Sequence, residues 1–290
     1  MASDLSRDFL GQRFQNPILL ASGTAGYGRE LAGVIDLDQL GGLVTKAVSL
    51  APRHGNPPPR VAEFRGGMLN SVGLANPGLR RVVSDELPWL AGHVRRARII
   101  VNVVGFTVEE YAEVAGGLDG APGIAALEIN LSCPNTNAGG VEFGADAGSV
   151  RRILELCRQR TRLPLVAKLS PVLPDVGAMA VVARDAGADA VAVVNTFPGE
   201  LFESDGVPRL GNGFGGVSGP ALLPVGILAV ARVVERTRGM PVIGVGGVRS
   251  AEDVRQYLGV GAALVAIGTA GLADPHLPGR IVRDLEAARG

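Results

Sequence analysis

Short apolar runs rich in Val, Ile, Leu and Ala recur along the chain and alternate with amphipathic stretches. Such runs predict strands buried on both faces, as in a parallel sheet covered by helices. Eight runs follow this pattern, at 18–23, 42–47, 98–105, 124–129, 163–170, 190–196, 240–248 and 262–269. Eight strands alternating with helices predict an α/β protein, a (β/α)₈ TIM barrel. An open doubly wound sheet is the alternative.

Helical patterns fill the intervals, among them 174–186, 220–237 and a last one at about 278–288. Thr107 and Ser250 are placed to cap helices, with Glu110 as the capping-box partner of Thr107. Two long segments interrupt the alternation. The proline-rich segment 52–70 is too long for a plain connection and is either functional or an appended hairpin, and the glycine-rich segment 197–219 is irregular. We expect a single domain over 1–290, with inserted loops or hairpins at the C-terminal mouth of the barrel.

Polar or glycine residues follow each predicted strand at the same end. In a barrel these ends meet at one mouth, where active sites are built. The residues that the mouth would gather are Ser22, Lys46, Asn102, Asn130, Cys133, Lys168, Asn195, Thr196, Gly246, Gly247, Gly268 and Thr269.

Glycines end the last two strands, at Gly246-Gly247 and Gly268-Thr269. In barrels the corresponding loops often bind phosphate through backbone N–H groups, and glycine allows close approach of the backbone. Glycines required only for tight turns are the alternative. The lysines add to this picture, because only two of the 28 basic residues are lysines, Lys46 and Lys168, and both lie at strand ends. A compact ammonium at each place is therefore expected to have a function.

The two cysteines differ in setting. Cys133 follows a strand end, and a loop thiol near cationic groups can act as a general base. Cys157 lies in a helical pattern and is expected to be inert. No histidine ends a strand, and no HExxH motif or carboxylate cluster predicts a metal or a Ser-His-Asp triad. A phosphate anchor, amide-rich walls and fixed positive charge match flavin mononucleotide (FMN).

Charge and hydropathy restrict the partners. The formal net charge is zero, so no basic field favours nucleic acid. No apolar run is long enough to span a bilayer and no signal peptide is evident, so we expect no membrane partner and a cytoplasmic location. Two cysteines are too few to hold an iron–sulfur cluster in this chain.

Four motifs carry a resemblance to a known family. They are the Asn-Leu-Ser-Cys-Pro-Asn segment at 130–135, the strand end 21–24 with glycines up to 28, the stretch 67–74 and the stretch 217–221. Together they resemble class 1 dihydroorotate dehydrogenase over nearly the whole chain. The segment 139–144 resembles the NAD-linked subclass 1B catalytic subunit. The chain departs from the family at 197–199, where an aliphatic stretch is expected.

The resemblance implies oxidation of dihydroorotate to orotate in pyrimidine (UMP) biosynthesis. Cys133 would remove the C5 proton while hydride leaves C6 for the flavin. The residues implied for FMN are Ser22, Thr45, Lys46, Asn102, Asn130, Lys168, Val194, Gly219, Gly246, Gly247, Gly268 and Thr269. Those implied for the pyrimidine are Lys46, Asn70, Ser71, Val72, Gly73, Leu74, Asn130, Asn195 and Thr196.

Subclass 1B also implies a partner. A separate subunit with FAD and a [2Fe–2S] cluster would pass electrons to NAD, in a heterotetramer of two catalytic and two electron-transfer subunits. Other functions stay open at this point. They are a fumarate-linked class 1A enzyme, a flavin barrel of the dihydropyrimidine or dihydrouridine type, a flavin-free cysteine enzyme resembling IMP dehydrogenase, and a barrel that only binds a phosphorylated ligand.

Overall fold

The structure, a computed structural model, describes residues 4–132 and 143–288. Within these residues eight parallel strands close into a barrel. With all strands numbered along the chain, the barrel strands are β3 (Ile18–Leu20), β4 (Gly42–Val44), β7 (Arg98–Val103), β8 (Ile124–Asn130), β9 (Leu165–Leu169), β10 (Ala190–Val193), β13 (Val242–Val245) and β14 (Leu264–Ile267).

Closure of the barrel decides between the two predicted architectures. The last strand, β14, pairs with both β13 and β3, and Val265 lies opposite Ile18. The TIM barrel is therefore confirmed and the open sheet is excluded. Each of the eight predicted strands is present. Most are shorter than the apolar run that predicted them, because the residues that follow leave the ladder to form the mouth.

Helices lie around the barrel. They are α1 (Arg29–Ala32), α2 (Leu79–Arg81), α3 (Leu87–His93), α4 (Val108–Leu118), α5 (Ala147–Arg160), α6 (Val176–Asp185), α7 (Leu223–Thr237), α8 (Ala251–Gly259), α9 (Thr269–Ala273) and α10 (Leu277–Ala287).

Both predicted N-caps are confirmed. The hydroxyl of Thr107 accepts a hydrogen bond from the Glu110 N–H at 3.2 Å, and Ser250 caps α8 in the same way. The Glu110 carboxylate, however, accepts from the Phe106 N–H at 2.7 Å, one residue before the Thr107 N–H that a capping box uses. The reciprocal bond therefore fixes the chain as it enters the helix.

The end of the barrel opposite the mouth is closed by an N-terminal hairpin that the sequence pattern did not predict. Its strands are β1 (Arg7–Phe9) and β2 (Gln12–Phe14), paired antiparallel. The rings of Phe9 and Phe14 pack edge to face at 5.7 Å and join the apolar cluster inside the barrel. Because this end is filled with apolar side chains, the polar interior begins only near the mouth.

A second sheet stands beside the mouth. It contains β5 (Val61–Phe64), β6 (Gly67–Asn70), β11 (Phe197–Glu200) and β12 (Phe214–Ser218) in the antiparallel order β11-β12-β6-β5. The hairpin alternative for 52–70 is thus confirmed. The prediction of irregular structure for 197–219 is wrong at both ends of the segment, where β11 and β12 lie. Close packing explains the misleading glycines, since a Cβ at Gly216 would overlap the Thr196 side chain and one at Gly215 would overlap the backbone of Asn70.

Candidate active site

Two adjoining cavities open at the C-terminal ends of the barrel strands. Their volumes are about 460 and 830 Å³, within the usual range for ligand pockets. Residues from β3, β6, β9 and β10 or the loops after them line both, including Ser22, Asn70, Lys168, Asn195 and Thr196. The two cavities are therefore parts of one mouth.

The structure brings nearly all described candidate residues to this mouth. The smaller cavity is lined by Ser22, Asn70, Val72, Lys168, Val194, Asn195, Thr196, Gly219, Gly246, Gly247, Gly268 and Thr269. The larger is lined by Ser22, Lys46, Asn70, Ser71, Val72, Gly73, Leu74, Asn102, Asn130, Lys168, Asn195 and Thr196. Cys133 lies outside the described residues.

Thr45 is the described candidate that lines neither cavity. It is fully buried, and its carbonyl accepts a hydrogen bond from the Ser22 hydroxyl at 2.9 Å. Its own hydroxyl donates to the Lys46 carbonyl at 2.9 Å and accepts from the Asn102 N–H at 3.3 Å. Thr45 therefore supports three mouth residues from below.

The glycine loop after β13 is held from behind. Gly246 and Gly247 have φ angles of 121° and 75°, a backbone conformation that favours glycine. The hydroxyl of buried Tyr257 lies 2.8 Å from the Gly246 carbonyl and 3.1 Å from that of Val245, and shares its proton between them. Burial raises the pKa of Tyr257 above its usual value, so the hydroxyl keeps the proton it donates. The loop is thus fixed against α8 with its other side toward the cavity.

Hydroxyl groups line the same cavity as these glycines. Thr269 donates a hydrogen bond to the Ser218 hydroxyl at 2.7 Å, and both residues line the smaller cavity. Glycine backbone together with hydroxyl donors is a donor set suited to phosphate oxygens. The described geometry is therefore consistent with an anion end in the smaller cavity.

A layer of polar side chains crosses the barrel just below the mouth. The inward positions of β7, β8 and β9 carry Asn102, Glu128 and Lys168. The Oε1 atom of Glu128 accepts from Asn102 Nδ2 at 2.6 Å and from Lys168 Nζ at 3.3 Å. Glu128 is not among the residues predicted from the sequence. A carboxylate inside an otherwise apolar strand was the signal that could have identified it.

Amide groups form the next layer toward the solvent. Asn130 Oδ1 accepts from the Ser132 N–H at 3.3 Å and from Asn195 Nδ2 at 3.4 Å. The Tyr111 hydroxyl donates to the Asn130 carbonyl at 2.6 Å and so ties the strand end to α4. These contacts orient the amides before any ligand binds.

Two buried oxygen atoms in the lining of the larger cavity lack a hydrogen-bond partner among the described residues. They are Asn102 Oδ1 and Ser132 Oγ. Buried polar atoms in native proteins are nearly always paired. Both atoms belong to residues that line the cavity, so each is a candidate partner for a hydrogen-bonding ligand.

The second cysteine, Cys157, lines neither cavity. Cys157 is buried in α5, and burial raises the pKa of its thiol to about 12, which is the setting expected of an unreactive thiol. No group of His, Cys, Asp and Glu in residues 4–132 and 143–288 could hold a metal ion. Within the same ranges, no helix combines the length and the apolar character needed to cross a bilayer.

The fold and the mouth define a class: a (β/α)₈-barrel enzyme with a glycine-lined cavity, amide walls and a buried lysine. Comparison with known sequences identifies the family. The family model for dihydroorotate dehydrogenase matches residues 4–288, and the chain belongs to this family of oxidoreductases.

Relatives with established names support this assignment. The chain is 47% identical over 277 residues to a protein of Desulforudis audaxviator, covering 95% of this chain and 89% of the relative. It is 44% identical to a Pelobacter propionicus protein, covering 99% and 93%, and 44% identical to a Geobacillus kaustophilus protein, covering 98% and 90%. Each of the three is named dihydroorotate dehydrogenase B (NAD(+)), catalytic subunit.

Proposed function

We propose that this chain is the catalytic subunit of an NAD-linked dihydroorotate dehydrogenase, which oxidises dihydroorotate to orotate in pyrimidine biosynthesis. The observation that carries the proposal is the convergence of both lysines, the amides and the glycine loops on one mouth. The names of the similar proteins support the NAD-linked subclass.

FMN is the cofactor that we propose for the mouth. The unpartnered Asn102 Oδ1 fits a ring N–H, and the Lys168 ammonium fits a ring carbonyl. The phosphate would bind among the glycines of the smaller cavity. The residues proposed to hold FMN are Ser22, Thr45, Lys46, Asn102, Asn130, Lys168, Val194, Gly219, Gly246, Gly247, Gly268 and Thr269. When bound, FMN supplies a hydride acceptor for the carbon being oxidised.

The substrate would lie in the larger cavity. Dihydroorotate carries ring amides and a carboxylate, and the walls offer matching groups. Asn130, Asn195 and Thr196 would bind the ring amides, and Lys46 would meet the carboxylate. The segment 70–74 would form the remaining wall, contributing Asn70, Ser71, Val72, Gly73 and Leu74.

Cys133 is the proposed base. Its thiolate would take the proton from C5 as the C6–H bond gives up its hydride, so that a C5=C6 double bond forms and two electrons leave the ring. General bases contribute about 10²–10⁴-fold to such steps. Asn195 and Lys46 would hold the ring so that C5 stays within reach of that base.

Electrons must then leave this chain. We propose a partner subunit with FAD and a [2Fe–2S] cluster, in a heterotetramer of two catalytic and two electron-transfer subunits. The relatives are named as catalytic subunits, which supports a partner. The single domain over 1–290 stays a prediction. The cytoplasmic location and the absence of nucleic-acid and membrane partners stay predictions as well.

The electron acceptor can be tested with the full chain loaded with FMN. Under anaerobic conditions we expect dihydroorotate to reduce NAD only when the electron-transfer subunit is present, and to reduce fumarate at no measurable rate. Rapid reduction of fumarate by this chain alone would contradict the NAD-linked subclass and favour class 1A.

The base assignment has a matched pair of variants. Cys133→Ser should retain FMN and turn over roughly 100-fold or more slowly at neutral pH, because a hydroxyl is a poor base. Cys157→Ser makes the same replacement of sulfur by oxygen at a buried helical position. It should leave turnover near that of the wild type. Equal rates in the two variants would exclude Cys133 as the base.

A further inference from the structure

We propose that Glu128 is a positioning residue for the cofactor site, which aims Lys168 and Asn102 into the mouth and offsets the charge of Lys168. This inference rests on the proposed binding of FMN. It assigns a function to a buried carboxylate that the proposed chemistry leaves unused.

The three side chains form one unit. Glu128 is 2% exposed, Lys168 7% and Asn102 0%, and they occupy inward positions on the neighbouring strands β7, β8 and β9. A single atom, Glu128 Oε1, accepts from Asn102 Nδ2 at 2.6 Å and from Lys168 Nζ at 3.3 Å. The positions of the ammonium and the amide are therefore coupled through one carboxylate oxygen.

The carboxylate also determines which way the Asn102 amide faces. An amide oxygen turned toward Glu128 would be repelled, so the nitrogen faces the carboxylate and Oδ1 is left as the free acceptor. This acceptor is the buried atom without a partner among the described residues, and Asn102 lines the larger cavity. Glu128 thereby presents an acceptor and a cationic donor at the floor of the mouth.

The charge of the unit has a separate consequence. Glu128 and Lys168 together are neutral, so the ammonium does not act on the bound ring as an isolated positive charge. Charges a few ångströms from a site interact strongly at the effective dielectric of a protein. Neutralising Glu128 alone should therefore leave a net positive charge that favours the reduced, more negative state of the flavin.

The test measures the midpoint potential of FMN bound to the full chain, by anaerobic titration against a reference dye. The variants are Glu128→Gln, Lys168→Met and the double variant. The matched control is Glu252→Gln, which removes the same charge from an exposed ion pair with Arg255 on α8, 3.2 Å long. FMN affinity, from quenching of flavin fluorescence, and the melting temperature are recorded for each.

We expect Glu128→Gln to raise the ratio of reduced to oxidised flavin at a fixed ambient potential about tenfold, which is about 30 mV for a two-electron couple. Glu252→Gln should leave the ratio unchanged. Lys168→Met should lower the ratio, and adding Glu128→Gln to it should bring the ratio back toward that of the wild type. The recovery distinguishes an electrostatic unit from general loosening of the core.

The inference would be overturned if Glu128→Gln and Glu252→Gln had the same midpoint potential and Glu128→Gln lowered only the melting temperature. Glu128 would then be a structural residue. If Glu128→Gln loses FMN, the comparison of Lys168→Met with the double variant decides, and equal potentials there overturn it. A wild-type chain that binds no FMN would overturn the proposed function as well. If the wild type binds FMN and its midpoint potential does not change when Glu128 is replaced, only this inference is overturned.

Discussion

The glycine loop after β13 offers a quantitative test of the proposed phosphate end. Gly247 has φ of 75°, and a Cβ there would overlap the backbone nitrogen of Leu223 at the start of α7. Gly247→Ala therefore adds two effects, the strain of a left-handed non-glycine residue, about 1–2 kcal/mol, and a steric overlap. Restoring a contact of roughly 3.5 Å requires the loop to move by about 1 Å.

The size of the expected effect on FMN binding follows from that movement. A displaced loop would lose at least one charge-assisted hydrogen bond to the phosphate, worth about 1.5–3 kcal/mol. Since about 1.4 kcal/mol is tenfold in affinity, Gly247→Ala should weaken FMN binding roughly 10- to 100-fold. The assay is fluorescence titration of FMN into the apoprotein.

Gly11→Ala is the matched control. Gly11 has nearly the same φ, 72°, but lies in the turn between β1 and β2 at the far end of the barrel, with no atom within 4 Å of its added Cβ. It should lose a similar 1–2 kcal/mol of stability from strain and bind FMN like the wild type. Equal FMN affinity in Gly247→Ala and Gly11→Ala would refute the placement of the phosphate at this loop.

Two further predictions concern groups away from the cofactor. Burial alone would raise the pKa of the Asp38 carboxyl, but hydrogen bonds from the N–H groups of residues 95–97 outweigh it and hold that pKa below its usual value. Because Asp38 is only partly buried, solvent screens these bonds, and Asp38→Asn should lower the unfolding free energy by about 1 kcal/mol at pH 7. The loss should shrink as the pH falls through the lowered pKa, because the wild-type carboxyl is then protonated too. A loss independent of pH in denaturant titrations would contradict this. In a thiol-labelling assay at pH 8, Cys133 should react in the native chain, whereas Cys157 should react only after unfolding because burial raises its pKa to about 12. Native labelling that persists in Cys133→Ser would contradict that assignment.

The barrel could be predicted because its strands are buried on both faces and therefore appear as apolar runs. The mouth residues could be predicted because a parallel barrel brings every strand end to the same side, so position along the chain is enough to place Lys46 and Lys168 together. For the same reason, the glycines that follow β13 and β14 could be placed at this mouth.

What could not be predicted depends on contacts between distant segments. The hairpin with Phe9 and Phe14 is short and lacks a strong alternating pattern, and the packing of its two rings into the end of the barrel stabilises it. Strands β11 and β12 contain glycines because neighbouring side chains and backbone lie too close for a Cβ, and these glycines hide the strand character in the sequence. The contacts of Glu128 depend on the register of β7, β8 and β9, which no local pattern contains.

The central claim is that this mouth binds FMN and oxidises dihydroorotate. It is tested most directly by the visible spectrum of the purified full chain with FMN, recorded anaerobically before and after dihydroorotate is added. The account predicts a yellow protein whose flavin absorbance is bleached by dihydroorotate and stays unbleached in the Cys133→Ser variant on the same time scale. A chain that cannot be loaded with FMN, or a yellow chain that dihydroorotate leaves unchanged, would contradict it.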